Sequence, residues 1–506
     1  MTPAARLEDG ATYIVAMRNL TTASSGAPVP PSAAFKALRD GSPSTDPAVT
    51  NRRAEYAALF KAVDAAPGWG GSQATMQLAW EFTVGSTQQW TGKFVSMRDD
   101  AFARLPAGGP AHKIYSIREN PDDVTFRHIE GAVQVPWYLN QKGPGMDVRL
   151  VLDPTTGMPQ FTEMVWVNFT AIIPLGVVNS STFEAARVVQ YGHGLFGSRE
   201  EVEDHYLQVE GGKNKYVYIA TDWIGLSGDD VVGVALMIAT NMSDFLMIPD
   251  RMHQGMLNAL VSMRCATTSL VNDAAFSYKG QSVIDPTKRG YYGNSQGGIM
   301  GGVYMGVSTD VERGVLGVAG APYSLLLPRS KDFETLNIDI RLRFSNTISR
   351  FAVLGLFQLL WNQMDPVGYL HTISRDPLPG TPAHRVIVHY GDGDAQVTWL
   401  GGQFIGRSVG AVMFEGNKAI HEGNVTLYGF DFIPDSATRT SGNAIQGFQF
   451  HGIPTVPFIN VPPSKADGHE YTRRTPQAQD ATGAFLNDGI IKNFCDGPCA
   501  DLPVPS

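Results

Sequence analysis

Tyr291-Tyr292-Gly293-Asn294-Ser295-Gln296-Gly297-Gly298 is a G-x-S-x-G stretch at the end of a strand-like run. A strand that turns this sharply into a helix leaves no room for side chains on either flank. Glycine therefore stands at both flanks, and the serine oxygen is pushed into the open. The residues that follow include Gly297, Gly298, Gly301 and Gly302. They predict a helix that packs closely on a sheet and whose N-terminus favours negative charge.

A serine hydroxyl becomes a nucleophile only beside a base, and the base needs a carboxylate to orient it. After Ser295, the apolar run Arg385-Val386-Ile387-Val388-His389-Tyr390 reads as a buried strand. It ends in Gly391-Asp392-Gly393-Asp394-Ala395-Gln396-Val397, which places two acids on a tight loop. Three histidines follow: His421, His451 and His469. His469 lies in the polar stretch Ser464-Lys465-Ala466-Asp467-Gly468-His469-Glu470, past the apolar run that begins at Ile453 and ends at Val461. His451 sits in Phe448-Gln449-Phe450-His451-Gly452 and reads as a strand residue, and His421 has no strand before it. Upstream, Arg187-Val188-Val189-Gln190-Tyr191-Gly192-His193-Gly194-Leu195-Phe196-Gly197 is another apolar run, ending in His-Gly-x-x-Gly.

With these segments in this order, the chain resembles an α/β-hydrolase of the lipase/esterase type over roughly residues 160 to 495. Tyr218-Ile219-Ala220-Thr221-Asp222-Trp223-Ile224-Gly225-Leu226-Ser227 resembles the end of that fold's fourth strand and its loop. The resemblance implies Ser295 as nucleophile, Asp394 as acid and His469 as base, with Asp392 the fallback acid. It also implies an oxyanion hole made by the backbone N–H groups of Leu195 and Gln296. The plainer reading of the His193 loop is a glycine turn after a strand, and of Asp392 and Asp394 an Asp-Gly turn. More narrowly, the layout is similar to extracellular bacterial lipases with an all-β, immunoglobulin-like N-terminal region. That likeness rests on Asp9-Gly10-Ala11-Thr12-Tyr13-Ile14-Val15-Ala16 and Leu78-Ala79-Trp80-Glu81-Phe82-Thr83.

The expected fold class is α/β: a mostly parallel α/β-hydrolase sheet with a helical cap, preceded by a smaller β-rich domain. Residues 1–110 form the β-rich domain and 111–506 the catalytic domain. Strands are expected over 113–117, 132–139 and 164–174, and Val315–Gly320 reads as another. A helix is expected over Arg52–Asp64, from the spacing of Tyr56, Leu59, Phe60 and Val63, and a second over Met252–Val261. The sixty-odd residues before Arg385 are too many for a plain crossover. They include Arg350-Phe351-Ala352-Val353-Leu354-Gly355-Leu356-Phe357-Gln358-Leu359-Leu360-Trp361, apolar on almost every side. Residues 325–380 are read as a cap over the site, or else as a helix buried by packing.

A net charge of −9 argues against a nucleic-acid partner, which needs a basic face. No run reaches the about 18 apolar residues of a transmembrane helix. Neither His421-Glu422 nor His469-Glu470 continues into a zinc-binding H-E-x-x-H, so no metal and no cofactor are expected. Cys495 and Cys499 are spaced for a small disulfide, and Cys265 is expected to be a buried thiol. The first twenty residues show no basic start followed by an apolar stretch. Their strand-like pattern reads as a late start, and an extracellular or cell-surface location is expected, with the cytoplasm left open. The implied partner is a small-molecule, lipid or polymeric ester. The alternatives are a polyester depolymerase or an amidase on the same triad, and a non-catalytic binding module on the same scaffold.

Overall fold

In the computed structural model the described residues are 3–179, 183–420, 427–453 and 467–505. The chain divides into a unit of Leu7–Thr87 and a larger unit of Met1–Arg6 with Gln88–Ser506.

The smaller unit is not the β-rich domain expected from its start. It holds strand β1 (Thr12–Met17), helices α1 (Ala33–Asp40), α2 (Pro47–Thr50) and α3 (Arg53–Ala65), and strand β2 (Leu78–Thr83). The two strands pair antiparallel only with each other, so no immunoglobulin-like sandwich of about seven strands forms. The reason lies in the core. Phe35, Tyr56, Leu59, Phe60 and Val63 come from α1 and α3, and only Met76 and Ala79 join them from the segment around β2. The boundary also falls at residue 87 rather than 110, because the next helix, α4 (Thr87–Arg104), sends Phe94, Met97 and Ala101 into the large core of the other unit.

The larger unit is a mostly parallel α/β sheet. Its antiparallel start is β3 (His112–Glu119), β4 (Thr125–Trp137) and β5 (Glu163–Pro174). Then come β6 (Ala186–Gly192), α5 (His205–Asn214), β7 (Tyr216–Thr221), α6 (Val231–Thr240) and α7 (Met247–Thr268). After them follow β8 (Ile284–Asn294), α8 (Gln296–Val307) and β9 (Arg313–Gly317), the last shorter than the expected 315–320 strand. The insertion carries α9 (Glu334–Arg343) and α10 (Thr347–Trp361). The sheet resumes with β10 (Arg385–Gly391), α11 (Trp399–Ser408), β11 (Val412–Phe414), β12 (Phe432–Ile433) and β13 (Ala444–Phe448), and the chain ends on α12 (His469–Arg474) and α13 (Pro476–Asp488). The strand order is β12-β11-β13-β10-β9-β8-β6-β7-β5-β4-β3.

That order contains one reversal that matters. From β6 the chain moves to β7 on one side; from β8 it moves to β9 on the other. The crevice beyond the carboxyl ends of β6 and β8 is thus a topological switch point, where open α/β sheets bind ligands. Gly192 and Ser295 stand at those two strand ends.

The glycines there are steric requirements. A Cβ on Gly297 would drive into the backbone of Gly192, and one on Gly293 would lie 2.6 Å from the carbonyl carbon of Gly297. The end of β8, the first turn of α8 and the end of β6 therefore touch backbone to backbone. Gly297→Ala is expected to lower stability by about 1–3 kcal/mol. Gly355→Ala is the control: this glycine is inside α10, its Cβ position is open, and alanine there is expected to stabilise by about 0.5–1 kcal/mol. Thermal unfolding of both variants beside the parent measures the opposite shifts.

Candidate active site

Ser295 joins β8 to α8 with φ 59° and ψ −124°, a left-handed region that a side chain enters at a cost of about 1–3 kcal/mol. Two backbone bonds hold it there. Its N–H donates to Gly317 O at 3.0 Å, and its carbonyl accepts from the Ile299 N–H at 2.9 Å. The residue is 5% exposed, at the N-terminus of a helix whose every residue is buried.

The loop after β6 presents a backbone donor to the same place. His193 is buried and serves the loop itself: its Nδ1–H donates to Gly194 O at 2.8 Å, and Nε2 accepts from the Trp223 N–H at 2.7 Å. Burial holds its pKa below the ordinary imidazole value, consistent with this neutral tautomer. The Gly194 N–H donates to Glu201 Oε2 (2.7 Å), the Phe196 N–H to Leu226 O (2.9 Å) and the Gly197 N–H to Gly194 O (3.0 Å). The Leu195 N–H has no acceptor among the described residues. Nor has the Gln296 N–H, which as the first of its helix lacks an intrahelical partner. Leu195, Ser295 and Gln296 line one cleft, together with Gln396 and Val397 from the loop after β10.

On that loop Asp394 is fully buried. Its Oδ1 accepts from the N–H groups of Gln396 (2.9 Å) and Val397 (2.7 Å), and its Oδ2 accepts from His469 Nδ1 at 2.7 Å. With Nδ1 so engaged, Nε2 is the imidazole nitrogen left over. It is buried without a partner among the described residues. Burial pulls the His469 pKa down, but the charge and hydrogen bond of Asp394 outweigh it, and the net position is above the ordinary imidazole value.

The alternatives are placed elsewhere. Asp392 is engaged by Gln449 Nε2 at 3.0 Å, on the β13 side. His451 is in an exposed turn rather than a strand, paired with Asp501 at 2.7 Å. His421 and the apolar run up to Val461 lie outside the described residues, Ile453 excepted.

Two carboxylates that the sequence reading passed over tie the parts together. Glu201 accepts from Gly194 N–H and from the Tyr191 hydroxyl (2.7 Å), and lies 3.8 Å from the buried guanidinium of Arg473 on α12. Asp467 accepts from the Ala395 N–H and the His469 N–H, both at 3.1 Å, and from Gln396 Nε2 at 2.8 Å. The carboxylate of Asp467 thus pins the acid loop to the start of α12. Neither residue has a spacing that marks it in sequence, since both act across loops. A third unforeseen partner is Tyr323, whose hydroxyl donates to Gln296 Oε1 at 2.8 Å and whose ring stacks on Trp361 at 4.3 Å.

No family model matches the chain, and no curated protein matches it. Among solved structures, it is similar to an acetyl xylan esterase from Thermoanaerobacterium sp., at 13% identity and TM-score 0.38 over 72% of this chain and 90% of that one. It is also similar to a glucuronoyl esterase from Teredinibacter turnerae, at 12% identity and TM-score 0.35 over 80% of this chain and 86% of that one. An acylaminoacyl peptidase from Pyrococcus horikoshii gives 12% identity and TM-score 0.33 over 76% and 50%. Scores at this level carry no activity across.

The opposed pulls on His469 are separable by titration. In the parent protein its NMR-detected pKa is expected above the ordinary imidazole value. In Asp394→Asn the upward pull is lost, burial prevails, and the pKa is expected to fall below that value.

Proposed function

We propose that this chain is a serine hydrolase of carboxylic esters, built as an α/β-hydrolase. One observation carries the reading. A serine at positive φ stands at the sheet's switch point, in one cleft with two unpartnered N–H groups and with the loop that holds the Asp394–His469 pair.

In the proposed reaction Ser295 Oγ attacks the ester carbonyl carbon while His469 Nε2 takes its proton. The carbonyl oxygen becomes an oxyanion, met by the N–H groups of Leu195 and Gln296 and by the positive end of α8. Asp394 fixes the tautomer that leaves Nε2 free and stabilises the imidazolium. The imidazolium then protonates the leaving alcohol as the tetrahedral intermediate collapses to an acyl-enzyme. Water, deprotonated by His469, releases the acid and restores Ser295.

A carbon-lined pocket supports an apolar acyl or alcohol group. It lies among Met237 of α6, Ile340 of α9, Phe357 and Trp361 of α10, and Phe245 and Phe333 from the segments just before α7 and α9. Leu327 lines both this pocket and the Ser295 cleft, so the two adjoin. The reading therefore favours esters with an apolar arm over small polar ones. The Cys495–Cys499 disulfide suits an oxidising compartment, and on that ground we place the protein at the cell surface or outside the cell.

A fluorophosphonate probe and a p-nitrophenyl ester series from acetate to palmitate, run on the parent and on Ser295→Ala, test the reading. Labelling and turnover are expected in the parent alone, with turnover down about four orders of magnitude in the variant. An unlabelled, inactive parent would remove the hydrolase reading. Asp467→Ala is expected to cost about tenfold to a hundredfold in kcat/KM through loss of alignment. Asp467→Asn keeps an acceptor oxygen for one of the loop N–H groups and is expected to recover part of that loss; equal losses in both would assign Asp467 to charge rather than position.

A further inference from the structure

The side chain of the residue after the serine has no part in the reaction above, yet it is at the site. Gln296 is 2% exposed and lines the Ser295 cleft together with Tyr323. The Tyr323 hydroxyl donates to Gln296 Oε1 at 2.8 Å. That bond sets the orientation of the amide, because the reverse would leave both the phenol hydrogen and Oε1 without a partner. Nε2 is then the free end. It is buried and has no acceptor among the described residues. A buried donor left unpaired costs free energy, and in a folded protein it points to a partner that is not part of the chain.

The support of that amide is fixed. The Tyr323 N–H donates to the buried carboxylate of Asp365 at 2.8 Å, and the Tyr323 ring stacks on Trp361 at 4.3 Å. Trp361 lines the carbon-walled pocket, and Leu327 lines both that pocket and the Ser295 cleft. Gln296 therefore stands beside the junction of cleft and pocket, where an apolar arm leaves the reacting carbonyl. The other polar side chains of the cleft are engaged or face water. Gln396 Nε2 is held by Asp467 at 2.8 Å, Ser330 Oγ accepts from the Asp332 N–H at 3.3 Å, and Asp332 is exposed. An arm made only of carbon would seal Nε2 in without an acceptor. An arm with an oxygen near the reacting carbonyl would give it one.

We propose that Gln296 Nε2 is a specificity-determining donor, and that the substrate is an ester whose apolar arm carries an acceptor oxygen near the reacting carbonyl. This rests on the hydrolase reading and narrows its substrate class. Pairs of esters that differ by one CH2 replaced by an ether oxygen isolate the acceptor, since length and shape are kept. Ethyl heptanoate against ethyl butoxyacetate tests the acyl side, and heptyl acetate against 2-butoxyethyl acetate tests the alcohol side. The ratio of kcat/KM, ether ester over carbon ester, is measured in the parent and in Gln296→Met, which keeps an unbranched side chain and the backbone N–H but has no donor. For one pair the ratio is expected to be about tenfold higher in the parent, and that pair names the side of the ester that meets Nε2. Comparing ratios cancels the intrinsic reactivity of each ester and any general loss of activity in the variant. Tyr323→Phe, which frees the amide to turn, is expected to lower the same ratio severalfold and is the second variant should Gln296→Met fail to fold. Equal ratios in parent and variants for both pairs overturn the proposal, as does a parent that a fluorophosphonate labels but that turns over none of the four esters. In both cases the labelling leaves the hydrolase reading standing. A parent that is neither labelled nor active overturns that reading, and this proposal with it.

Discussion

The backbone contact among Gly192, Gly293 and Gly297 is what everything at this sheet edge depends on. It lets the end of β8 and the first turn of α8 close against the end of β6 with no side chain between them. Only with that closure does the chain reverse at Ser295, and only with Ser295 N–H bonded to Gly317 O is the unfavourable φ held. The strain is local and of the order of 1–3 kcal/mol. The surrounding sheet is long, mostly parallel and buried on both faces, so the turn has a rigid base. The same closure brings the Leu195 loop beside Ser295, since that loop is the direct continuation of β6.

Rigidity at the strand ends does not by itself place the histidine. His469 arrives from the far end of the chain, after β13, and is fixed by carboxylates rather than by strand pairing. Asp394 bonds its ring, and Asp467 bonds its backbone N–H while also holding the Asp394 loop. Glu201 performs the corresponding task between the Leu195 loop and Arg473 on α12. A carboxylate drawn out of water is stable only when its oxygens are occupied, and buried Asp394 and half-buried Glu201 and Asp467 each accept at least two bonds. The pKa position of His469 follows from that arrangement: burial alone would lower it, and the paired charge reverses the sign.

The insertion that carries α9 and α10 is governed by a different balance. Its inner face is buried apolar packing, with Phe357 stacked on Phe245 at 4.3 Å and Trp361 on Tyr323. Tyr323 in turn bonds the side chain of Gln296, so α10 is coupled through Trp361 and Tyr323 to the residue that follows the serine. The outer face of α10 has no such partner among the described residues.

Local pattern was enough for much of this. G-x-S-x-G fixed a strand–turn–helix because only glycine fits the flanks. Apolar runs at Arg187–Gly192 and Arg385–Gly391 fixed buried strands because a period of one, with no polar alternation, suits a sheet covered on both faces. The acid and base candidates could be named from their place after those strands. The N-terminal segment could not be read the same way. The alternation at Thr12–Met17 is a true strand signal, but how many strands join it depends on which residues supply the core, and α1 and α3 supply it. Residues 88–110 were misassigned for a similar reason: Phe94, Met97 and Ala101 mark a helix, but not which core it enters.

What the sequence by itself determined is the set of short-range elements and the chemistry available at their ends, because periodicity and turn sterics act over a few residues. Tertiary structure alone decided the rest. It set His469 against Asp394 rather than Asp392, gave Glu201 and Asp467 their hydrogen-bond partners, left the Leu195 N–H without an acceptor among the described residues and exposed the outer face of α10. Each of these is a matter of which atoms meet across tens to hundreds of residues, and no local spacing carries that information.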